Sequence, residues 1–216
     1  MLNALRRPIS PLRGRWAPPL SIAAVAVVAI VLGAWYQNGW APKRWGVVEP
    51  GLIYRSGQIT SRRVRDVLAQ NQIRVVVDLT GDDPTNPDQP AERAAIASLG
   101  IEVAKCPLLG DGTGDIESYA SAIAKIASAR KARQPVLVHC SAGAQRTGGV
   151  VAAYRILVEK KSPRQAWVEL QQFGWSPRKD RVLVDYLNAH FEELARRLVD
   201  RGVIAAAPQP VPKLEP

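Results

Sequence analysis

Two side chains with complementary chemistry, Cys140 and Arg146, lie in a short glycine-containing segment with five residues between them. A cysteine thiolate is a nucleophile that can attack phosphorus, and a helix N-terminus or a nearby cation favours the thiolate form. The arginine guanidinium stays charged and offers a planar fork that matches two phosphate oxygens. We therefore interpret the pair as a candidate nucleophile and a candidate anion-binding group.

The segment lies between two apolar runs that predict how it is held. Residues 135–138 predict a buried strand, and residues 149–157 predict a buried helix. A tight loop between a strand and a helix N-terminus points its backbone N–H groups inward and can bind an anion of phosphate size. The residues of this predicted phosphate loop are Ser141, Ala142, Gly143, Ala144, Gln145 and Arg146.

The residues around the loop have predicted supporting roles. Gly143 and Gly148 permit a tight bend and close approach of the backbone to an anion. We expect His139 to hold the loop backbone, and Thr147 to donate a hydroxyl hydrogen bond to the cysteine sulfur when that sulfur acts as a leaving group. A structural cysteine beside a glycine-rich turn is the simpler interpretation, but it gives Arg146 no role.

Residues 139–148 resemble the H-C-x-x-G-x-x-R-[ST]-G signature of the cysteine-dependent protein tyrosine phosphatases. The surrounding chain is similar to the compact dual-specificity branch, in particular its bacterial members, and residues 52–58 resemble the Arg-Ser-Gly-Gln opening of bacterial and fungal relatives. The resemblance implies a phosphatase fold and hydrolysis through a phosphocysteine on Cys140, with no metal and no cofactor. For Arg55 we favour a structural role, because a strand-end arginine usually makes local hydrogen bonds.

The resemblance also implies an aspartate that acts as general acid and base, on a loop before the signature cysteine. The favoured candidate is Asp111, because Gly110 and Gly112 on either side permit the loop to move. Asp115 is the alternative, although its position predicts an N-cap for a helix over 116–130. That both aspartates are only turn and cap residues also stays open.

Strand and helix patterns alternate along the chain and predict an α/β fold with a mostly parallel central sheet flanked by helices. A helix that ends at Gly100 separates two further predicted strands. Cys106, at the end of the second of these strands, can pair with Cys140 or be a small buried apolar residue. Residues 47–58 predict two short strands joined by a Pro-Gly turn. The predicted elements after them are a helix from 60 or 61 to 70, a strand over 73–80, a helix over 91–99, a strand over 101–106, and C-terminal helices that begin at Ser162-Pro163 and Ser176-Pro177.

The N-terminal segment predicts attachment to a membrane. Residues 20–36 are apolar apart from Ser21, and 17 residues lie at the short end for a spanning helix. A cleavable signal peptide is the alternative. The flanking charges favour a cytoplasmic N-terminus and a catalytic domain in the periplasm. The predicted division is a basic cytoplasmic tail (1–19), a transmembrane anchor (20–40), a linker (41–46), a phosphatase domain (47–200) and a disordered proline-rich tail (201–216).

Composition excludes several classes of protein and site. The net charge is +10, and residues 1–45 hold six basic and no acidic residues, so they supply +6 and the remainder only +4. Because the basic charge belongs mainly to the N-terminal segment, we expect no nucleic-acid partner. Two cysteines and two histidines exclude a disulfide scaffold and a cysteine-rich zinc site.

The loop interior favours a phosphorylated protein or a small phosphomonoester as substrate. It holds no lysine, whereas phosphoinositide-directed relatives often carry lysines there. An outward-facing domain beside a membrane favours instead a phospholipid or another envelope phosphomonoester. A catalytically inactive phosphate-binding interaction module and a rhodanese-like sulfurtransferase are the alternatives from other classes.

Overall fold

The computed structural model describes residues 25, 27, 28 and 42–216. The chain divides into two compact units, residues 1–40 and 41–216. Of the predicted anchor, only Val25, Val27 and Val28 are described, and all three are helical. The remainder of the anchor lies outside the described residues. Within the described part of the chain, no helix combines the length and the apolar character that crossing a bilayer requires.

A five-stranded sheet forms the centre of the unit that follows residue 40. Its strand order is β1-β2-β5-β3-β4. The first strand is antiparallel to the second, and all other neighbours are parallel, which confirms the predicted mostly parallel sheet. The strands are β1 (Gly46–Glu49), β2 (Ile53–Gly57), β3 (Val75–Asp78), β4 (Glu102–Lys105) and β5 (Val136–Cys140).

Helices cover both faces of this sheet, which explains why every residue of β3 and β5 is buried. The first two helices pack on one face against Val76 and Leu137. The other four cover the opposite face, against Val77 and Val138. The helices are α1 (Val64–Gln70), α2 (Asp88–Leu99), α3 (Ile116–Lys131), α4 (Gln145–Leu157), α5 (Pro163–Gln172) and α6 (Arg181–Asp200).

Successive side chains of a strand point to opposite faces, and this decides what lies near the carboxyl ends of β3 and β5. Asp78 and His139 lie two residues after Val76 and Leu137, so they share the face covered by α1 and α2. Cys140 belongs to the core on the opposite face. The two residues that end β5 therefore have different surroundings.

The predicted starts of four helices differ from the structure. α2 begins at Asp88 rather than at residue 91, and α4 begins at Gln145 rather than at residue 149. The first helix begins at Val64 because the N–H groups of Arg63 and Val64 bond to the carbonyl of Thr60 and form a turn ahead of it. The last helix begins at Arg181. Ser176 and Asp180 close a separate turn, since the Asp180 N–H donates to the Ser176 carbonyl at 2.8 Å and the Ser176 N–H donates to the Asp180 carboxylate at 3.0 Å.

The predicted starts of α3 and α5 and the predicted end of α2 agree with the structure. Ser162 and Gln165 form a reciprocal capping box at the start of α5, as the Ser-Pro pair predicts. Gly100 ends α2 in the left-handed conformation, with φ of 62°.

The C-terminal segment is packed rather than disordered, which corrects the prediction for 201–216. Leu214 is only 1% exposed and belongs to the main core. The Asn188 amide binds both backbone groups of Leu214: it donates to the carbonyl at 3.2 Å and accepts from the N–H at 2.7 Å. Apolar residues of this segment, among them Val203 and Val211, contact the same core and account for the order.

Candidate active site

The predicted strand–loop–helix arrangement is present around Cys140. That residue ends β5, and Gln145 begins α4, so residues 141–144 alone connect the two elements. The Gly143 N–H donates to Cys140 Sγ at 3.1 Å. Gly143 has a φ of +77°, and a Cβ there would lie 2.5 Å from the backbone nitrogen of Gly57. Glycine is therefore required at this position for both its conformation and its size.

Arg146 lies across the loop with its guanidinium anchored on two sides. Nη2 donates to Ser141 Oγ at 3.0 Å, and Nη1 donates to the Leu79 carbonyl at 3.4 Å. The buried Nε–H has no hydrogen-bond partner among the described residues. Cys140 and Arg146 thus meet at one loop, at the N-terminus of a helix whose free N–H groups favour an anion.

Arg55 is a buried cation behind this loop. Its side chain is 1% exposed. Nη2 donates to the Gly143 carbonyl at 3.1 Å, Nη1 lies 3.6 Å from Glu169 Oε1, and the guanidinium stands 3.9 Å above the Phe173 ring. Burial lowers the pKa of Arg55 to about 10, against the opposing effects of Glu169 and Cys140. Arg55 therefore has the predicted structural role, and it also places a positive charge close to Cys140.

Thr147 does not contact the cysteine sulfur in this structure. Its hydroxyl is buried and donates to the Ser56 carbonyl on β2 at 3.4 Å. The reason is the direction of the first turn of α4, which turns this side chain towards the neighbouring strand. Thr147 therefore ties α4 to β2, and the predicted bond to the leaving sulfur is not present.

His139 faces two carboxylates that the sequence analysis missed. Its side chain is 0% exposed, and Nε2 lies 3.3 Å from Glu92 Oε1 and 3.9 Å from Asp78 Oδ1. Neither ring nitrogen has a hydrogen-bond partner in the described part of the chain, so the predicted bond to the loop backbone is not made. The parallel register of β3 and β5 could have placed Asp78 beside His139, but no local pattern indicated Glu92.

Asp78, Glu92 and His139 bring three possible metal-ligand atoms within 4.8 Å of one another. Asp78 already has other partners, since Lys105 Nζ lies 2.8 Å from Oδ2, and the Thr80 N–H and hydroxyl donate to Oδ1. Burial raises the pKa of Asp78, but His139, Lys105 and Thr80 outweigh burial and hold that pKa below its usual value. Because an ammonium group compensates Asp78, we interpret the cluster as an ionic network rather than a metal centre.

The two candidate acids have different environments. Asp115 caps α3 by accepting from the Glu117 N–H at 2.9 Å, as predicted. Asp111 is exposed, and its Oδ1 accepts from the Thr113 N–H at 2.9 Å and from the Thr113 hydroxyl at 2.8 Å. These bonds lower the pKa of Asp111, the backbone bond most strongly. Of the two carboxylates, Asp111 is the one that caps no helix.

The loop that carries Asp111 packs against the start of α4. A Cβ at Gly112 would lie 3.3 Å from the carbonyl carbon of Gln145. Tyr119, fully buried, donates to the Gly112 carbonyl at 2.5 Å. Burial raises the pKa of Tyr119 well above its usual value, and the charges of Tyr186, Asp111 and Cys140 add to that effect. The acid loop and the phosphate loop therefore adjoin each other around one buried tyrosine.

The segment before β1 also touches the phosphate loop, which the sequence analysis missed because it assigned this segment to a linker. The Gly57 N–H donates to the Lys43 carbonyl at 2.6 Å. Arg44 Nη1 donates to the Ala142 carbonyl at 2.8 Å. The exposed basic residue Arg44 thus lies at the side of the loop, and the backbone of Lys43 is bonded to the end of β2.

The strand order excludes a disulfide between Cys106 and Cys140. Cys106 follows β4 and Cys140 ends β5, with β3 between them. Neighbouring strands lie about 4.8 Å apart, so the two Cα atoms are roughly 9.6 Å apart. A disulfide bridges at most about 7 Å without backbone movement. Both cysteines are free and buried, and burial raises the pKa of the Cys106 thiol. Cys106 is therefore a small buried apolar residue.

Comparisons with known sequences agree with this geometry. The sequence model of a family described as DSP-PTPase phosphatase fused to NAD+ kinase matches residues 45–181. The chain is 29% identical over 172 residues to the dual specificity protein phosphatase TpbA of Pseudomonas aeruginosa, a match that covers 71% of this chain and 74% of TpbA. It is 32% identical over 92 residues to the dual specificity protein phosphatase OPG106 of vaccinia virus, which covers 42% of this chain and 48% of the viral protein.

Solved structures share the fold. The crystal structure of P. aeruginosa TpbA superposes with a TM-score of 0.58 and 25% identity, over 73% of this chain and 91% of that chain. A TpbA structure in complex with phosphotyrosine gives a TM-score of 0.56 and 23% identity, over 76% and 98% of the two chains. The catalytic domain of the PP-IP phosphatase SIW14 from S. cerevisiae gives a TM-score of 0.57 and 18% identity, over 79% and 97%.

Proposed function

Because the chain belongs to the DSP-PTPase family of cysteine-dependent phosphatases, we propose that it hydrolyses phosphomonoesters of the phosphotyrosine and dual-specificity type through a phosphocysteine on Cys140. The observation that carries the proposal is the position of Cys140 and Arg146 on one loop at the N-terminus of α4. A phosphate bound in this loop faces the Cys140 sulfur on one side. The backbone N–H groups of the loop surround the phosphate, and the Arg146 guanidinium lies beside it.

In the first step the Cys140 thiolate attacks phosphorus, and the bond from phosphorus to the leaving oxygen breaks. Asp111 gives its proton to that oxygen, so that the product leaves as a neutral alcohol or phenol. Arg146 and the loop N–H groups bind the equatorial oxygens as charge spreads over them. In this structure the Asp111 carboxylate is bonded to Thr113, so it must turn away from Thr113 to reach the leaving group.

In the second step Asp111, now a carboxylate, takes a proton from a water molecule that attacks the phosphocysteine. The bond from sulfur to phosphorus breaks, inorganic phosphate leaves, and the thiolate and the protonated Asp111 are restored. The buried cation Arg55, whose Nη2 holds the Gly143 carbonyl, supports the returning negative charge on sulfur. The atoms and protons balance without a metal ion or a cofactor.

For the substrate, the absence of lysine inside the loop supports phosphotyrosine in a protein or a small phosphomonoester. A second candidate is a phosphomonoester at a membrane surface, such as a phospholipid headgroup. The observation that favours it is the hydrogen bond from Arg44 to the Ala142 carbonyl of the loop, since Arg44 lies shortly after the predicted anchor over 20–40. The protein is proposed to cross the membrane once, with its catalytic domain in the periplasm.

A substrate panel in the presence of a chelator tests the proposal. Initial rates are measured on a phosphotyrosine peptide, a phosphoserine peptide and vesicles that contain a lipid phosphomonoester, for the parent and for Arg44→Gln. We expect the highest kcat/KM on the phosphotyrosine peptide, no loss on chelation and little change in the variant. A preference for vesicles that Arg44→Gln removes would support the lipid substrate. Binding of phosphate without any turnover would support an interaction module instead.

A further inference from the structure

The carboxylate of Glu92 bridges two elements that hold the phosphate loop. Glu92 lies on α2 and is 4% exposed. Its Oε2 accepts from Gln58 Nε2 at 2.8 Å, and its Oε1 lies 3.3 Å from His139 Nε2. Gln58 directly follows β2, and His139 belongs to β5. The Glu92 side chain, on the face of the sheet opposite to Cys140, therefore contacts β5 and the residue that follows β2.

Each of these partners fixes one part of the loop. His139 is covalently joined to Cys140, so the position of its ring constrains the residue that carries the nucleophile. The backbone N–H of Gln58 donates to the carbonyl of Ser141 at 3.1 Å. Glu92 therefore contacts groups that are linked to the loop on both sides of the bond between Cys140 and Ser141.

The side chains closest to the Glu92 carboxylate are those of Gln58 and His139. The neighbouring carboxylate, Asp78, is bonded to Lys105, and Lys105 also lies 3.2 Å from Asp82. Arg93 lies next along α2 and is exposed. A buried carboxylate is costly unless it is paired and hydrogen-bonded, and the partners within reach of Glu92 are Gln58 and His139.

We propose that Glu92 is a positioning residue for the phosphatase reaction, which fixes the phosphate loop from behind through His139 and Gln58. This inference rests on the proposed function. Glu92 touches neither the substrate nor the reacting atoms. It acts by keeping the sulfur, the Ser141 carbonyl and the loop N–H groups in the arrangement that receives a phosphate. A displacement of about 1 Å in such an arrangement can lower a rate about 10²-fold.

The test compares Glu92→Leu with Gln89→Leu, a matched control on the same helix. Gln89 is also 4% exposed, but its side chain bonds only to Thr80, Gly81 and Asp83, away from the loop. We expect Glu92→Leu to lower kcat/KM on a phosphotyrosine peptide by about 10²-fold. The kcat/KM of Gln89→Leu should stay close to that of the parent, even if thermal unfolding shows that the two variants are equally destabilised. Equal kcat/KM for the two variants would overturn the inference.

A second measurement separates this inference from the proposed function, because it needs no turnover. Iodoacetamide alkylates Cys140, and inorganic phosphate in the loop should slow that reaction. We expect the same phosphate concentration to protect the parent and Gln89→Leu, and a much higher one to be needed for Glu92→Leu. If phosphate does not protect the parent, the proposed function itself fails. If it protects all three proteins equally, only the role of Glu92 is refuted.

A double-mutant cycle identifies the path from Glu92 to the loop. Gln58→Leu removes the side chain through which Glu92 reaches the segment bonded to Ser141. If the two residues act as one unit, the double variant Gln58→Leu/Glu92→Leu loses less kcat/KM than the product of the single losses. Simple multiplication of the two losses would show that they act independently, and would refute the bridging role.

Discussion

Arg55 Nη2 donates a hydrogen bond to the carbonyl oxygen of Gly143 at 3.1 Å. This bond joins a buried strand cation to the backbone of the phosphate loop. Glu169 and Phe173 hold the same guanidinium from the α5 side. Because the Gly143 carbonyl is held behind the loop, the peptide groups that follow it can turn their N–H groups towards a bound phosphate.

We expect Arg55→Met to lower the free energy of unfolding by about 3 kcal/mol, since it leaves the Gly143 carbonyl and Glu169 without this partner. Urea denaturation measures the change. Arg155 still pairs with Glu169 at 2.8 Å in the variant, so most of the expected loss comes from the Gly143 carbonyl. Arg55→Lys keeps the positive charge and should lose less. An unchanged urea midpoint for Arg55→Met would show that the buried cation contributes nothing to stability.

Asp111→Asn should lower kcat by roughly 10²–10⁴, the usual contribution of a general acid. The matched control is Asp115→Asn, because asparagine caps a helix as well as aspartate does and leaves α3 intact. Steady-state kinetics on a phosphotyrosine peptide decide between them. A large loss in Asp115→Asn with near-parent activity in Asp111→Asn would assign the acid to Asp115.

Thr113→Val should move the alkaline limb of the pH–rate profile to higher pH. Asp111 must be protonated to act as the acid, so activity falls as pH rises through its pKa. The Thr113 hydroxyl bond lowers the pKa of Asp111, and its removal raises that pKa towards the usual value. Thr113→Ser keeps a hydroxyl and should leave the limb in place. A shift to lower pH in the valine variant would contradict this assignment.

Full-length protein should stay with the membrane fraction after a carbonate wash, since residues 20–36 are almost wholly apolar. A form that begins at residue 42 should be released. N-terminal sequencing of the mature protein distinguishes an anchor from a cleaved signal peptide. A soluble form that starts near residue 34 would establish cleavage and refute the proposed membrane anchor.

The elements that local patterns encode could be predicted from the sequence. The apolar run before Cys140 and the glycines after it predict the strand–loop–helix unit, and Asp115 caps its helix as its position indicates. Contacts between distant segments could not be predicted. Glu92 reaches His139 only because α2 packs over the end of β5, and no periodicity in the sequence records that contact.

Two errors have the same origin. The bond expected from Thr147 to the sulfur goes instead to Ser56, because the orientation of α4 on the sheet decides where the hydroxyl points. The tail after residue 200 was expected to be disordered on account of its prolines, but Leu214 finds an apolar site beside α6. In both cases a tertiary contact outweighs the local composition.

If Cys140 is the nucleophile, its loss must abolish turnover, and the second cysteine of the chain, Cys106, is a matched control. Cys106 is 4% exposed and Cys140 is 1% exposed, so serine in place of either one tests a buried thiol. The direct measurement is kcat on a phosphotyrosine peptide for Cys140→Ser and Cys106→Ser. We expect no detectable turnover for Cys140→Ser and turnover close to the parent's for Cys106→Ser. Near-parent turnover by folded Cys140→Ser protein would contradict this expectation.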